Sequence, residues 1–386
     1  MASFDKKNGK WRFRISYYDA NHVRQYITKQ GFRTRTAAIA AAAEIEKARR
    51  NGADLANEGV TIGDYWERWI KLYKAGKHAE ITEKRYPIIA KTLEEYFPDR
   101  ELKSITTADW QDFLNKYGAS HSKITVSKLN GYVRSMVKSA INEQILAVDF
   151  TLNAALTGAP GKREADKYLE TDTFKQLMHL SYWRSDIDHI TSAIIYVGCL
   201  TGARYSEIIG LTWDDVDWDD HKITINKTWD YQFGKGFLPT KTPASVRTID
   251  VNKTVLDLLA SLKKQQQAWY LKSGYRDSKN LIFRTKRYQV PTNAAANKVL
   301  RKLEDKIETE EQKVNPSYTL TKVTFHGLRH SHVSYLLSKG VDIYYISRRL
   351  GHSDITITLS VYSHLLDNTN QVQADKTLSA LQELIQ

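Results

Sequence analysis

Two short polar stretches, NGADLANEG at 51–59 and TGAPGKREADK at 157–167, interrupt an otherwise amphipathic chain of 386 residues. Both are rich in the glycine, asparagine, proline and charge that helix and strand interiors reject, so each reads as a linker. A chain this long exceeds what one ordinary core organises. The linkers therefore predict three segments, 1–55, 60–158 and 167–386. Hydrophobic residues make up 41% of the chain and only 7 residues are proline, which gives each segment enough apolar side chains for a core.

The N-terminal segment alternates. In WRFRISYYD, Trp11, Phe13 and Ile15 fall on one face and Arg12 and Arg14 on the other, the period of a half-buried strand. HVRQYITKQGF continues as strand, and Thr34 or Thr36 can cap the alanine-rich helix that follows. The exposed face of this small sheet is expected to carry Arg12, Arg14, Arg24 and Lys29. Net charge is +13, and residues 1–58 hold twelve Lys and Arg against six Asp and Glu, so nearly half the excess lies in a seventh of the chain. Charge concentrated in this way suits a polyanion, because each neutralised phosphate releases counterions. A basic sheet laid into a DNA groove is one known geometry for that.

In the second segment Ile62, Tyr65, Trp69, Leu72 and Tyr73 recur at helical spacing behind Thr61, and similar patterns at 82–97, 107–116 and 122–143 predict a helical bundle. The third is again mostly helical, apart from KITINKTW, GFLPTKT and SVRTIDV, which read as three strands of one antiparallel sheet. MASFDKKNGK lacks the apolar run of a signal peptide, and no apolar stretch is long enough to span a bilayer, so the expected location is cytoplasmic. Cys199, the single cysteine, sits in the apolar run ITSAIIYVGCL and reads as core.

The residues with chemical potential are polar and scattered. TGARYSEIIGLTWDDVDW places Arg204 where one helix meets another, with Glu207 three residues on as an internal anion. TFHGLRHSHVSYLL opens on Thr324, a possible cap, and sets His326 and Arg329 on one helical face. LGHSD supplies His352 after a glycine suited to ending a helix, and VYSHL supplies Tyr362. His326, His330, His332, His352 and His364 invite a metal reading, but no H-E-x-x-H is present, and arginine beside a site repels cations. No metal or other cofactor is expected. Tyr335, Tyr344 and Tyr345 fall within helical stripes and read as core.

Arginine forks, histidines, a lysine and a tyrosine suit a phosphodiester. Guanidinium groups match non-bridging phosphate oxygens, with charge-assisted bonds of about 1.5 to 3 kcal/mol each. A phenol of pKa about 10 is roughly one part in a thousand ionised at neutral pH and needs a base or cations to attack phosphorus. Lys241, in PTKTPASVRTI, can keep a proton until an alkoxide leaves.

These boxes resemble those of the tyrosine recombinases, the phage integrase family: T-G-x-R-x-x-E at Thr201–Glu207, H-x-x-R at His326–Arg329, L-G-H at Leu350–His352, and a tyrosine ten residues after the last histidine, Tyr362. The family's hairpin lysine is matched by Lys241. The resemblance implies a fold that is multidomain and mainly α with small antiparallel β-sheets: residues 1–55 an arm-type DNA-binding domain, 60–158 a helical core-binding domain that clamps DNA together with a mixed α/β catalytic domain at 167–386. It implies catalytic roles for Arg204, Lys241, His326, Arg329, His352 and the nucleophile Tyr362, with Glu207 in support. It also implies site-specific recombination of double-stranded DNA through a 3′-phosphotyrosyl intermediate by a homotetramer, integrating or excising a mobile element, with excisionase and DNA-bending proteins as possible partners. His326 would assist the tyrosine's proton and His352 a phosphate oxygen, or the reverse. The tail VQADKTLSALQELIQ has Val372, Leu378, Leu381 and Ile385 at roughly helical spacing, for docking on a neighbour or on its own domain. Two alternatives remain: a type IB topoisomerase-like relaxing enzyme, and a DNA-binding regulator with vestigial boxes.

Overall fold

The computed structural model describes residues 2–18, 24–50, 59–161, 163–356, 358–359, 362, 377–378 and 381–383. It forms two compact units, Met1–Gly161 and Lys162–Gln386. The architecture is mainly helical with small antiparallel sheets, in keeping with the sequence.

In the first unit β1 (Ser3–Lys7), β2 (Lys10–Tyr18) and β3 (Arg24–Phe32) form an antiparallel sheet in that order, followed by α1 (Arg35–Arg50). The first hairpin turns on Asn8 and Gly9, whose φ values of 51° and 76° supply the two left-handed positions of a type I′ turn. Phe13 and Ile15 are buried with Ala38 and Ala42, and Thr34 Oγ accepts the Ala37 amide at 3.1 Å, which settles the cap in its favour. The register corrects one expectation. Phe13 pairs with Lys29, Arg14 with Thr28 and Tyr18 with Arg24. Directly paired residues share a face, so Lys29 lies on the face of Phe13, away from Arg12, Arg14 and Arg24.

The same unit holds α2 (Ile62–Tyr73), α3 (Glu80–Glu83), α4 (Arg85–Tyr96), α5 (Thr107–Gly118) and α6 (Lys123–Asn142), closed around a core of their own. Leu72 and Tyr73, expected inside, are exposed, and Trp66 takes the interior position beside Trp69. The start of the second expected linker is not loose: Lys123 donates to Ala159 O at 2.9 Å and Ala159 to His121 O at 3.0 Å. Gly158 between them has φ +125°, and a Cβ there would meet Lys123 N at 2.7 Å.

The second unit runs α7 (Thr171–Trp183), α8 (Ile190–Thr201), α9 (Tyr205–Ile208), β4 (Val216–Asp217), β5 (Lys222–Ile225), β6 (Lys227–Asp230), β7 (Gly236–Pro239), β8 (Arg247–Asp250), α10 (Lys253–Ser273), α11 (Asn293–Gln312), α12 (Phe325–Ser338) and α13 (Ile343–Leu350). Helix α8 is buried on almost every side, Cys199 included, and its end leads through Gly202 to Arg204. The expected single sheet is two. KITINKTW breaks at Asn226, sending β5 into a sheet ordered β4-β5-β8 and β6 into a hairpin with β7. Tyr335 is partly buried against the core as expected, whereas Tyr344 and Tyr345 are exposed at 65% and 47%. The face of α13 that turns inward is Ile346, Ser347 and Leu350, and both tyrosines lie off it. Most of the C-terminal tail, Val372 and Ile385 included, lies outside the described residues; Leu378 and Leu381 are exposed.

Candidate active site

Four separated pieces of chain meet at one place in the second unit. The first is the end of α8. Gly202 stops it at φ +64°, and a Cβ there would meet the His332 ring at 2.7 Å and Leu350 Cδ2 at 2.9 Å, so glycine is required twice over. The turn delivers Arg204 to the start of α9. Its Nη1 donates to Glu207 Oε1 at 2.7 Å and to Ser245 Oγ at 3.3 Å, and its backbone amide to Glu207 Oε2 at 2.9 Å.

Glu207 is 1% exposed and is shared. Arg247, on β8, donates Nη2 to Glu207 Oε2 at 2.9 Å, Nη1 to Ser245 O at 2.8 Å and Nε to Arg349 O at 2.6 Å. Burial pushes the Glu207 carboxyl up, but Arg247 and then Arg204 outweigh it and hold it below the usual carboxylate range. Sequence reading missed Arg247. Its signal was available, since it stands two residues before Ile249 and so in phase with the buried side of the strand.

Helix α12 is the third piece. Thr324 precedes it but makes no side-chain cap; instead Asn297 Oδ1 accepts the Phe325 amide at 2.8 Å and Glu304 Oε1 the Val323 amide at 2.8 Å. Arg329, 4% exposed, donates Nη1 to Gly202 O at 2.9 Å and Nη2 to Leu350 O at 2.8 Å, which ties the ends of α8 and α13 together. Burial, then the neighbouring Arg204 charge, lowers its pKa, yet a guanidinium stays protonated at neutral pH. His326, in the first turn, is lowered by desolvation of its ring and by Arg329 and Arg204. His332 is internal: Nδ1 donates to Cys199 O at 2.9 Å, so Nε2 is the acceptor for Arg349 Nε at 3.4 Å, and burial drives its pKa down to about 3.

The fourth piece follows α13. Gly351 has φ +69° with Arg247 Nη1 and Ser245 Cα each 3.0 Å from where a Cβ would stand. His352 Nδ1 lies 2.8 Å from Thr358 Oγ1, and burial, followed by Arg329, Arg204 and Arg247, depresses its pKa to about 4. Tyr362 is 3% exposed among Val333, Leu337, Ile346 and Leu350, with its hydroxyl 2.5 Å from His330 Nδ1. That hydroxyl is close enough to Arg329 to affect its ionisation. Sequence reading counted His330 among the histidines and gave it no role.

Arg204, Arg329, His326, His352 and Tyr362 are thus brought together, with Glu207 beneath them. Lys241 is exposed in the segment after β7. That segment is tied to the site at its far end, through Thr242 Oγ1 to Ser245 Oγ at 3.0 Å and Ser245 to Arg204. Arg12, Arg14, Arg24 and Lys29 belong to the first unit. Among the described residues no group of three His, Cys, Asp or Glu is placed to hold a metal ion.

A buried Arg329 and a partly exposed Arg204, with histidines and a tyrosine beside them, make a cationic cluster of the kind that suits a phosphodiester. The comparisons agree. Residues 167–369 match the model of the phage integrase family, and residues 1–48 that of an arm DNA-binding domain. The chain belongs to the phage integrase family. It is 28% identical over 295 residues to the ICEBs1 integrase of Bacillus subtilis strain 168, covering 75% of each chain. It is 24% identical over 390 residues to a XerC-like tyrosine recombinase of Caldanaerobacter subterraneus subsp. tengcongensis, covering 95% of this chain and 96% of that one. The fold resembles the Tn1549 transposon integrase in complex with a circular intermediate DNA, at TM-score 0.66 and 17% identity over 82% of this chain and 99% of the other. It also resembles a lambda integrase tetramer bound to a Holliday junction, at TM-score 0.52 and 18% identity over 92% and 96%.

Proposed function

We propose that this chain is a site-specific DNA recombinase that integrates or excises a mobile element, with Tyr362 as nucleophile. The observation that carries the reading is the clustering of Arg204, Arg329, His326 and His352, each near enough to perturb another's ionisation, with Tyr362 near enough to Arg329 to do the same. The two guanidiniums hold the non-bridging oxygens of the scissile phosphate and stabilise the extra charge at the crowded phosphorus. Tyr362 Oη forms a bond to phosphorus, the bond to the 5′-oxygen breaks, and a 3′-phosphotyrosine and a 5′-hydroxyl result. Lys241 gives the departing oxygen its proton. His352 donates to a phosphate oxygen, and Glu207 fixes the orientation of Arg204. A 5′-hydroxyl from a partner duplex reverses the step, so the bond energy is conserved in the protein linkage.

The substrate is double-stranded DNA, and the working species is a homotetramer on that DNA, in line with the assemblies named for the lambda integrase. Residues 1–55 bind arm sites through Arg12, Arg14 and Arg24, residues 60–158 bind the core site, and residues 167–386 cut and rejoin it. Excisionase and DNA-bending proteins are the accessory partners this arrangement would use. The place of action is the cytoplasm of a bacterial host; no helix among the described residues is long and apolar enough to cross a membrane.

Nicked half-site DNA tests the reading. The full chain should form a covalent adduct that survives EDTA, and Tyr362→Phe should form none. An adduct formed by Tyr362→Phe overturns the nucleophile assignment, and strict magnesium dependence overturns the role given to the arginines. Joining of two different sites separates recombination from simple relaxation, and no adduct at all would favour a regulator.

A further inference from the structure

The family boxes leave unassigned a side chain that touches the tyrosine's reacting atom, His330. We propose that His330 is the group that takes the proton from Tyr362 when the phosphate is attacked and returns it when the strand is rejoined. The inference rests on the reading of Tyr362 as nucleophile, and it moves the proton from His326 to the histidine one helical turn further along α12.

The geometry is direct. His330 Nδ1 stands 2.5 Å from Tyr362 Oη, with the ring centroids 5.7 Å apart. Tyr362 is held there by packing on Val333 and Leu337, which lie on the same helix as His330, so helix and tyrosine fix the distance jointly. His326 meets His330 edge to face, ring centroids 5.1 Å apart, and so stands behind it. Among the described residues, the groups set against the His330 ring include Tyr362 from the C-terminal segment and His326 from its own helix, with Arg329 adjacent in sequence. Arg204, which acts on both His326 and Arg329, adds positive charge nearby.

Chemistry favours this position. An imidazole nitrogen can accept the phenolic proton while its other nitrogen keeps a hydrogen, and the imidazolium that forms sits beside a phosphate that is gaining negative charge. In the forward step the Oη–H bond breaks toward His330 Nδ1 as the Oη–P bond forms and the P–O5′ bond breaks, Lys241 protonating O5′. In the reverse step the 5′-hydroxyl gives up its proton to Lys241, the P–Oη bond breaks, and His330 Nδ1–H restores the phenol. No further reactant is required.

The test is single-turnover cleavage of nicked half-site DNA by the full chain across pH 5 to 9 (about the range in which an imidazole titrates), with His330→Asn, His330→Ala and His326→Asn variants. Asparagine preserves a polar partner for the hydroxyl and removes the proton acceptor. The unaltered chain should show adduct formation that slows at acid pH. His330→Asn should bind DNA and melt as the parent does, lose the acid limb, and cleave about a hundredfold or more slowly, the usual size of a general-base contribution. Added imidazole should restore part of the rate to His330→Ala, which a packing defect would not allow. Cleavage by His330→Asn at the parental rate overturns the proposal. So does an acid limb that survives in His330→Asn and disappears in His326→Asn. Failure of the unaltered chain to form an adduct would sink the nucleophile reading itself, and is recognisable because it does not depend on the variant.

Discussion

Glu207 holds one side of the Arg204 guanidinium, and Glu207 can remain ionised at 1% exposure because Arg247 reaches it from β8. Three charges therefore stand or fall together, and Arg247 also donates to the carbonyls of Ser245 and Arg349. Arg247→Ala should cost about 3 kcal/mol of stability, the usual penalty for leaving one member of a buried ionic group uncompensated. Arg247→Lys should fall between, since an ammonium cannot reproduce the three-directional fork. Urea unfolding measures both. The pH dependence gives a second readout. The folded-state pKa of Glu207 is depressed, so its contribution is complete above the unfolded carboxylate value, about 4.3, and is lost as pH falls through the lower folded value. With Arg247 gone, that loss should begin at higher pH. An Arg247→Ala protein with parental stability from neutral to acid pH would show that Arg204 alone satisfies the carboxylate.

At the level of elements, the start of α12 decides where His326, Arg329 and His330 point, and it is held by α11, through Asn297 and Glu304, with no cap bond from Thr324. Glu304 is fully buried; Oε1 accepts the Val323 amide, while Oε2 has no hydrogen bond and only Arg301 at 3.4 Å. Burial raises its pKa to about 7. The folded state thus binds this proton more tightly than the unfolded chain, so stability is highest below the unfolded pKa and declines as pH rises toward 7. Glu304→Gln keeps an acceptor for Val323 and removes the charge. Unfolding midpoints measured at acid and alkaline pH should converge in this variant, with the gain confined to the alkaline side; an undiminished decline would assign the effect elsewhere. None of this was legible in the sequence, because Glu304 sits in a charged helix, LRKLEDKIETEE, whose pattern does not distinguish its one buried acid. The family boxes were legible because each marks a chain reversal or a buried cation: Gly202 and Gly351 at left-handed helix ends, Arg329 between two carbonyls. The Asn8-Gly9 turn leaves a weaker trace, since FDKK before it lacks a clear apolar alternation. The division of the strands at Asn226 and the outward turn of Tyr344 and Tyr345 depend on what packs opposite, which local pattern does not contain.

For the whole molecule, the +13 net charge matters less than where it is placed. Arg12 is already paired with Asp5, its Nη2 at 2.6 Å from Oδ2. Arg14 and Arg24 stand on the same sheet face, both over Tyr26, at 3.7 and 5.5 Å from the ring centre. Lys29 is on the other side of the sheet. If that face tracks the phosphates of an arm site, each contact releases counterions and adds about 0.9 to the slope of log affinity against log salt. Arg14→Ala with Arg24→Ala should flatten the slope for arm-site DNA by roughly 2, while Lys29→Ala should leave it unchanged. Cleavage of an isolated core half-site should be unaffected by all three, because none of these residues belongs to the unit that carries Tyr362. Titration of labelled arm DNA over a range of potassium chloride concentrations decides the matter. A slope that drops equally for Lys29→Ala and Arg14→Ala would mean that diffuse charge, and not the face set by strand register, holds the DNA.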